Sequence, residues 1–306
     1  MAGGAMTRDT APARIEARLT EWFFAEASIT PLVVVRVGLG LVAFWSTVGY
    51  LPHMEWLWGE HGFLAESLVS YRTHPLRFHT DAVFGAIVVS SACLTIGLAT
   101  RLSGLIAAVS MAVLGSSGYA HTWGWGTVMP AVLVIIALSP ARNGWSVDAW
   151  WAARRGAWLP LVAPRWALRL LQVHVAVVYL SASWHRVNDR GWIHGEMVYA
   201  AFANGMYSRY PYVDPQPFKP VFRVLSYITE WLEVTAPVAL WWRPTRMVYV
   251  FALMGLHLGL EVSAIVGWWQ PMMIVLLVVF LPPRWIRRLL PSAMQPADGP
   301  PDLPER

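Results

Sequence analysis

The sequence predicts an all-α, polytopic transmembrane helical bundle of about eight helices, with both termini cytoplasmic. Of its 306 residues, 56% are hydrophobic and only 13% are charged, whereas a soluble domain carries about 25% charged residues. The mean hydropathy is +0.45, and apolar stretches approaching the roughly 20 residues that cross a hydrocarbon core recur along the chain. Too little polar material remains to coat a soluble globule, so lipid is the expected solvent for most of the surface.

The N-terminal segment 1–29 differs from the apolar stretches that follow it. It alternates arginine and glutamate and ends in Trp22, Phe23 and Phe24. It has no apolar signal region or cleavage site. We predict an amphipathic helix that lies on the membrane surface with its aromatic side chains in the interface.

Eight apolar segments are the predicted spans. They cover residues 31–50, 81–100, 102–117, 127–138, 166–184, 222–242, 247–266 and 270–281. Residues 53–80 and 185–220 are predicted to be long irregular loops, and segment 118–126 interrupts the apolar pattern. The spans make up one transmembrane domain over residues 30–290. The proline-rich, polar tail 291–306 is predicted to be disordered.

Basic residues set the predicted orientation. With a cytoplasmic N-terminus and eight spans, fifteen basic residues lie in inside segments and seven in outside loops. This bias agrees with the positive-inside rule, and it predicts a multi-pass protein of the cell inner membrane. The same rule explains the net charge of +5, so nucleic-acid binding is not expected. Cys93 is the only cysteine, which excludes an intrachain disulfide and cysteine metal clusters.

Burying an ionisable group in a membrane span costs free energy, so each such group in a predicted span needs an explanation. Arg36 lies in the first span, where it either snorkels to the interface or ties helices together. His174 and Tyr179 lie in the fifth span, where an interhelical hydrogen bond is the simplest explanation for a buried histidine. These three residues are also candidate substrate-binding residues.

The sixth and seventh spans each carry a pair of ionisable residues on one helix face. Glu230 and Glu233 are three residues apart, and His257 and Glu261 are four apart. Glu233 and His257 are candidate catalytic residues. The pattern fits a structural polar network, a proton-handling site or a metal site, but a metal needs three or four convergent ligands, and no metal ligand is assigned.

Polar residues also gather where the fifth span ends. His185 and Arg186 are candidate catalytic residues there, and Trp192 is a candidate substrate-binding residue. The segment is explained either as an interfacial anchor, since tryptophan favours the membrane interface, or as the rim of a pocket that opens outward from the bundle.

In their order and spacing, several segments resemble the HTTM family, the bacterial membrane relatives of vitamin K-dependent gamma-carboxylase. The resemblance covers about residues 30–288. The matching segments are Val35–Gly40 (VRVGLG), Ile96–Arg101 (IGLATR), Leu138–Asp148 (LSPARNGWSVD), Leu170–Tyr179 (LLQVHVAVVY), Trp192–Gly195 (WIHG), Glu230–Glu233 (EWLE) with Pro237, and His257.

The resemblance implies a helical membrane domain and directs attention to Arg186. The family usually has a lysine about six residues before the Trp-x-x-Gly turn, and in the carboxylase this lysine is implicated as the base that deprotonates vitamin K hydroquinone. Here Arg186 occupies that position. A guanidinium is effectively always protonated and is a poor base, so carboxylation at this position is not expected. His185 is a substitute base, since imidazole titrates near neutral pH.

Three classes of function follow from these residues. The first is a quinone- or lipid-linked membrane enzyme in which Arg186 holds an oxyanion or carboxylate, His185 or His257 moves protons, and Glu233 orients a partner group; a quinone is the candidate ligand. The second is a non-enzymatic maturation, immunity or export factor that acts with a peptide or protein partner at the outer face. The third is a transporter, which needs discontinuous helices and an inverted repeat, and no convincing repeat is visible between the two halves.

Overall fold

A computed structural model describes residues 11–64, 79–117, 119–265 and 267–288. The described chain is all-α, with about 78% of it helical. Its helices in chain order are α1 (Ala11–Phe24), α2 (Thr30–Tyr50), α3 (Met54–Trp58), α4 (Thr80–Ile96), α5 (Thr100–Gly115), α6 (Tyr119–Leu138), α7 (Val147–Arg154), α8 (Trp166–Arg186), α9 (Arg190–Ile193), α10 (Met197–Ala203), α11 (Lys219–Ala239), α12 (Arg243–Ser263), α13 (Trp269–Leu277) and α14 (Pro283–Arg288). Short 3₁₀ turns cover Leu51–His53, Pro140–Asn143, Gln216–Phe218 and Val278–Phe280.

Helix α2 lies in the interior of the bundle and packs against α4, α6 and α13. Pro31 occupies its first turn, where a missing backbone N–H costs no hydrogen bond. Its glycines allow the close packing, because a Cβ at Gly38 would press on Val275 of α13 and one at Gly40 on Thr95 of α4. The second half of the bundle is built by α8 packing on α11 and by α12 packing on α11 and α13.

Three helical segments in the described part of the chain are long and apolar enough to cross a membrane: Thr30–Trp58, Trp166–Arg186 and Arg243–Ser263. Four shorter apolar helices cover Thr80–Ile96, Thr100–Gly115, Gly124–Leu138 and Trp269–Phe280. The remaining predicted span, 222–242, overlaps α11, which is more polar and carries Glu230 and Glu233. The count of eight spans and the cytoplasmic placement of both termini stay predictions.

Contacts between connecting segments fall at two opposite ends of the bundle. At the end where α1 packs, hereafter the α1 end, β1 (Glu26–Ser28) pairs antiparallel with β2 (Val162–Pro164), and Asp148 N–H donates to the Gly97 carbonyl at 3.0 Å. At the other end, hereafter the α9 end, Trp58 Nε1 donates to Ser117 Oγ at 2.9 Å. The connections therefore alternate between the two ends, as successive crossings of the bundle require.

Two loop predictions are corrected by the structure. Residues 119–126 are helical, because α6 begins at Tyr119 and continues through the Trp-Gly-Trp sequence. Its glycines serve packing instead: a Cβ at Gly124 would press on the Trp269 ring, and Gly126 lies against Gly115. The region 185–220 is also not wholly irregular, since α9 and α10 form within it.

The terminal predictions are only partly covered by the described residues. Helix α1 provides the predicted N-terminal helix, and Ile15, Leu19 and Phe24 on it are exposed; its position on a membrane stays a prediction. Segments 1–10 and 65–78 and the predicted disordered tail 291–306 lie outside the described residues.

Candidate functional site

A buried ion pair joins α8 to α11. Arg186 Nη2 lies 2.7 Å from Glu233 Oε2, with side-chain exposures of 18% and 5%. Ser183, one turn before Arg186, donates to the Tyr179 carbonyl at 2.6 Å and to the Glu233 carbonyl at 3.1 Å. This hydroxyl fixes the relative position of the two helices, so both charged partners are presented at a defined height in the bundle.

The Arg186 guanidinium also packs on an aromatic ring. Its Cζ lies 4.0 Å from the centre of the Trp192 ring, a distance typical of a cation–π contact. Trp192 is held in place because its backbone N–H donates to Asp189 Oδ1 at 3.2 Å, which caps α9. Gly195 ends the turn with φ +68°, and a Cβ there would press on Arg223 and Tyr227 of α11. The turn can therefore lie directly against α11.

A second set of polar residues joins α8, α12 and α13. Tyr179 hydroxyl lies 2.9 Å from His257 Nε2, and His257 Nδ1 bonds to Gln270 Oε1. An amide oxygen can only accept, so Nδ1 carries the imidazole proton and Nε2 accepts from the tyrosine hydroxyl. All three side chains are buried. Gln270 therefore fixes the tautomer that makes His257 a proton acceptor toward Tyr179.

The two sets are linked through helix α8. Tyr179 and Arg186 both lie on it, and the Ser183 hydroxyl between them bonds the carbonyls of Tyr179 and Glu233. Together they form what we name the polar core site, consisting of Tyr179, Arg186, Trp192, Glu233, His257 and Gln270. With one ion pair and a neutral histidine the site carries no net charge, which suits burial in an apolar bundle.

One donor in this site is unused. Arg186 Nη1 is buried and has no hydrogen-bond partner among the described residues. A buried donor without an acceptor is unfavourable, and an oxygen atom of a bound ligand would satisfy it. The site therefore combines a charged donor, a hydroxyl bonded to a proton acceptor and an adjacent tryptophan.

Arg36 is predicted to bind substrate, but the structure places it at the α1 end with other partners. Its Nη1 donates to the carbonyls of Ala141 and Gly144, both at 3.1 Å, and its Nη2 to the carbonyl of Trp145 at 2.6 Å. Asp148 in turn accepts from the backbone N–H groups of Ala99 and Thr100 at 2.8 and 2.9 Å. These contacts join three segments quoted for the resemblance, Val35–Gly40, Ile96–Arg101 and Leu138–Asp148. Arg36 is a structural centre of this end.

The other candidate residues are not brought into the polar core site. His174 is half-buried on α8, and its Nε2 has no hydrogen-bond partner in the described part of the chain. His185 is exposed where α8 ends. Glu261 shares a helix face with His257 but pairs with Arg209, whose Nη2 lies 2.9 Å from its Oε1. Within the described ranges, no three histidine, cysteine, aspartate or glutamate side chains are grouped to hold a metal.

Sequence reasoning did not select Gln270 or Ser183. Gln270 was placed only as the start of the eighth predicted span, and Ser183 as one of the small residues near the end of the fifth. The sequence signal that could have indicated Gln270 is its polar amide in the first turn of an otherwise apolar helix. Its partner, His257, lies on a different helix, and spacing within one helix does not show which residues of another helix it meets.

Comparison with known proteins identifies the family of the chain. Nothing among curated proteins or solved structures matches the chain. The family model described as HTTM domain matches residues 24–285, a range that includes α2 to α13 and every residue of the polar core site. This domain indicates a membrane protein related to vitamin K-dependent carboxylase. The resemblance read from the sequence is confirmed, and the chain belongs to the HTTM domain family.

Proposed function

We propose that the chain binds a lipid-soluble ligand with a reactive oxygen, a quinone or quinol, at the polar core site and exchanges a proton with it. The observation that carries this proposal is the unused, buried Nη1 donor of Arg186, on the same helix as the Tyr179–His257 hydrogen bond. A quinone oxygen would accept from Nη1, and its apolar ring suits an apolar site with few polar groups. The ligand would enter from the bilayer, in which quinones dissolve.

The proposed roles follow from the hydrogen bonds. Arg186 holds the ligand oxygen and stabilises negative charge on it, because an oriented charged donor favours an oxyanion. Tyr179 accepts the proton of a bound quinol as it passes its own hydroxyl proton to His257 Nε2, and Gln270 orients the His257 ring for this transfer. Glu233 keeps Arg186 in position. Arginine itself does not act as the base.

Ligand binding is tested on detergent-purified protein. Mass spectrometry of extracted small molecules should detect a co-purified quinone, and added menaquinone or ubiquinone should quench tryptophan fluorescence in a saturable titration. Arg186→Lys should weaken binding about tenfold, because the ammonium keeps the ion pair but loses the second guanidinium donor. Arg209→Lys, in the ion pair outside the site, is the matched control and should bind as the wild type does.

Failure to detect a bound quinone would count against the proposed enzyme function. Protein that purifies without a quinone and shows no saturable quench leaves the polar core site as a structural network. Equal affinity in the wild type and Arg186→Lys would remove Nη1 from ligand binding even if a quinone is bound elsewhere.

A second function, a non-enzymatic maturation, immunity or export factor, is favoured by a different observation. At the α9 end the segment between α10 and α11 exposes apolar and aromatic side chains, with Met206 75%, Tyr212 98% and Val213 55% exposed. Exposed apolar side chains clustered in one segment mark contact surfaces. Replacing Met206 and Tyr212 by alanine should abolish cross-linking to a partner in cells, whereas Trp158→Ala, 87% exposed at the other end, should not.

The membrane arrangement is part of the proposal. We infer a multi-pass protein of the inner membrane with the α1 end cytoplasmic and the α9 end outside. The arginine distribution of the sequence supports this orientation, and the alternation of connecting segments between the two ends is compatible with it. The polar core site then lies nearer the outer face, since Arg186 is the last residue of α8 and α8 begins at the α1 end.

A further inference from the structure

Three arginines converge at the α1 end, away from the polar core site. Arg165 precedes α8, Arg169 lies in its first turn, and Arg246 lies in the first turn of α12. Arg165 and Arg169 share the Trp22 carbonyl as acceptor. Arg246 donates through Nη2 to the carbonyl of Trp241 at 3.3 Å, and the Trp241 ring lies 5.8 Å from Arg169 Cζ. All three side chains are half-buried. Like charges held together at a partly buried site favour an anion between them.

Part of the hydrogen-bonding capacity of this cluster is already used. Arg165 donates through Nε to the Trp22 carbonyl at 3.1 Å and through Nη2 to the Glu21 carbonyl at 3.2 Å. Arg169 donates through Nε to the same Trp22 carbonyl at 3.4 Å and through Nη1 to Gln172 Oε1 at 3.0 Å. These bonds satisfy the Trp22 carbonyl, one of the last carbonyls of α1, and add to the Glu21 carbonyl, which also accepts from the Ala25 N–H at 3.0 Å.

Other donors of the same guanidinium groups are spare. Arg165 Nη1 and Arg169 Nη2 make no hydrogen bond, and neither arginine pairs with a carboxylate, among the described residues. Capping the end of α1 therefore does not account for the whole cluster. Two guanidinium groups with outward donors match the oxygens of a phosphate, which arginine binds in a bidentate manner.

Aromatic and apolar side chains surround the arginines. The Trp22 and Trp241 rings stack with centres 5.6 Å apart, and Arg169 Cζ lies 4.8 Å from the first ring and 5.8 Å from the second. Tryptophan paired with arginine is typical of the membrane interface. Near Trp241 in the chain, Val238 and Trp242 are 74% and 62% exposed, which provides an apolar surface for an acyl chain.

We propose that Arg165, Arg169 and Arg246 bind the phosphate of an anionic phospholipid headgroup, with its acyl chain on the apolar surface around Val238 and Trp242. The headgroup would join α1, α8 and α12, three elements that are far apart in sequence. Basic pockets between membrane helices are known to take anionic headgroups. The apolar surface next to the arginines favours a lipid over a free phosphate ion.

The test is thermal unfolding of the detergent-purified full chain with added lipid. Phosphatidylglycerol should raise the Tm, whereas phosphatidylcholine, which carries the same phosphate without net charge, should not. Arg165→Gln with Arg169→Gln should weaken the apparent affinity for phosphatidylglycerol roughly 25-fold, about fivefold for each arginine. Arg101→Gln, an exposed arginine at the same end, is the matched control and should retain the wild-type response.

Each other outcome decides against part or all of the proposal. Equal stabilisation by inorganic phosphate would show a free-anion site and reject the lipid. An unchanged response in the double variant, or equal loss in Arg101→Gln, would reject a built site in favour of general electrostatic attraction. If the double variant does not fold, Arg165→Gln alone gives the same comparison, because Arg169 still holds the Trp22 carbonyl.

Discussion

At the residue scale, the polar core site depends on partners supplied by different helices. The sequence identified Tyr179, Glu233 and His257 because polar residues in apolar spans are unusual, and Arg186 through the polar cluster after the fifth span and the family resemblance. It could not show that Glu233 meets Arg186 while Glu261 meets Arg209, since both glutamates are equally plausible partners by spacing. The sequence also could not show that Arg36 lies outside this site, because its three carbonyl partners belong to a loop more than one hundred residues away.

The Tyr179–His257 hydrogen bond should contribute to stability. Tyr179→Phe leaves the buried His257 Nε2 without a donor, so we expect a loss of about 1–2 kcal/mol in the free energy of unfolding. Thermal unfolding in detergent measures it. Tyr212→Phe is the control, because Tyr212 is 98% exposed and its hydroxyl should contribute nothing. An equal Tm for the wild type and Tyr179→Phe would contradict a stabilising hydrogen bond between Tyr179 and His257.

Removing the carboxylate charge from the Arg186–Glu233 ion pair should destabilise the fold more than removing it from the more exposed Arg209–Glu261 pair. Glu233→Gln leaves a largely buried guanidinium without a counter-charge, and we expect a loss of about 3 kcal/mol, the lower end for buried pairs because Arg186 is 18% exposed. Glu261→Gln removes the matching carboxylate from a pair exposed by 44% and 32%, and should cost less than about 1 kcal/mol. Denaturant or thermal unfolding compares them. Similar losses in both variants would show that burial does not distinguish the two pairs.

At the element scale, a break in the apolar pattern was a poor guide to the end of a helix. Segment 118–126 interrupts that pattern and was placed between two predicted spans, whereas α6 begins at Tyr119. In the structure Gly124 and Gly126 allow neighbouring helices to approach, and the gain in packing outweighs propensity. The apolar segments themselves were placed well, since each predicted span overlaps a helix; only the irregularity of the long loop was overestimated.

Gly97 provides a direct test of the turn between α4 and α5. It has φ +71°, and a Cβ there would press on Ser146 and on the Arg36 guanidinium. Gly97→Ala should therefore destabilise the fold by at least about 1–2 kcal/mol, from backbone strain alone. Limited proteolysis and thermal unfolding should both report it. Gly85→Ala is the matched variant, since nothing lies within 4 Å of its Cβ; a loss there as large as at Gly97 would refute the packing argument.

At the scale of the whole molecule, composition predicted the class and the arginine distribution predicted an orientation. The fold class could be predicted without knowing which helices pack together, because a chain with 13% charged residues cannot present a soluble surface. Which helices touch, and therefore which polar groups meet, depends on three-dimensional packing that no single segment encodes.

The single cysteine makes the orientation simple to measure. In a Cys93→Ala background, Asp189→Cys at the α9 end should react with a membrane-impermeant maleimide in intact spheroplasts. Ala153→Cys at the α1 end should react only after lysis. Both positions are exposed, so access to the reagent depends on the side of the membrane. Reaction at residue 153 but not 189 in intact spheroplasts would reverse the proposed topology.

The β1–β2 ribbon has a consequence for synthesis of the chain. Ser28 pairs with Val162, so four of the predicted spans are translated before the second strand emerges from the ribosome. Until then α1 also lacks Arg165 and Arg169, whose guanidinium groups hold its final carbonyls. Helix α1 is therefore anchored only after four predicted spans have been made, and a nascent chain stalled before residue 162 should expose α1 to proteases that cannot reach it in the finished protein.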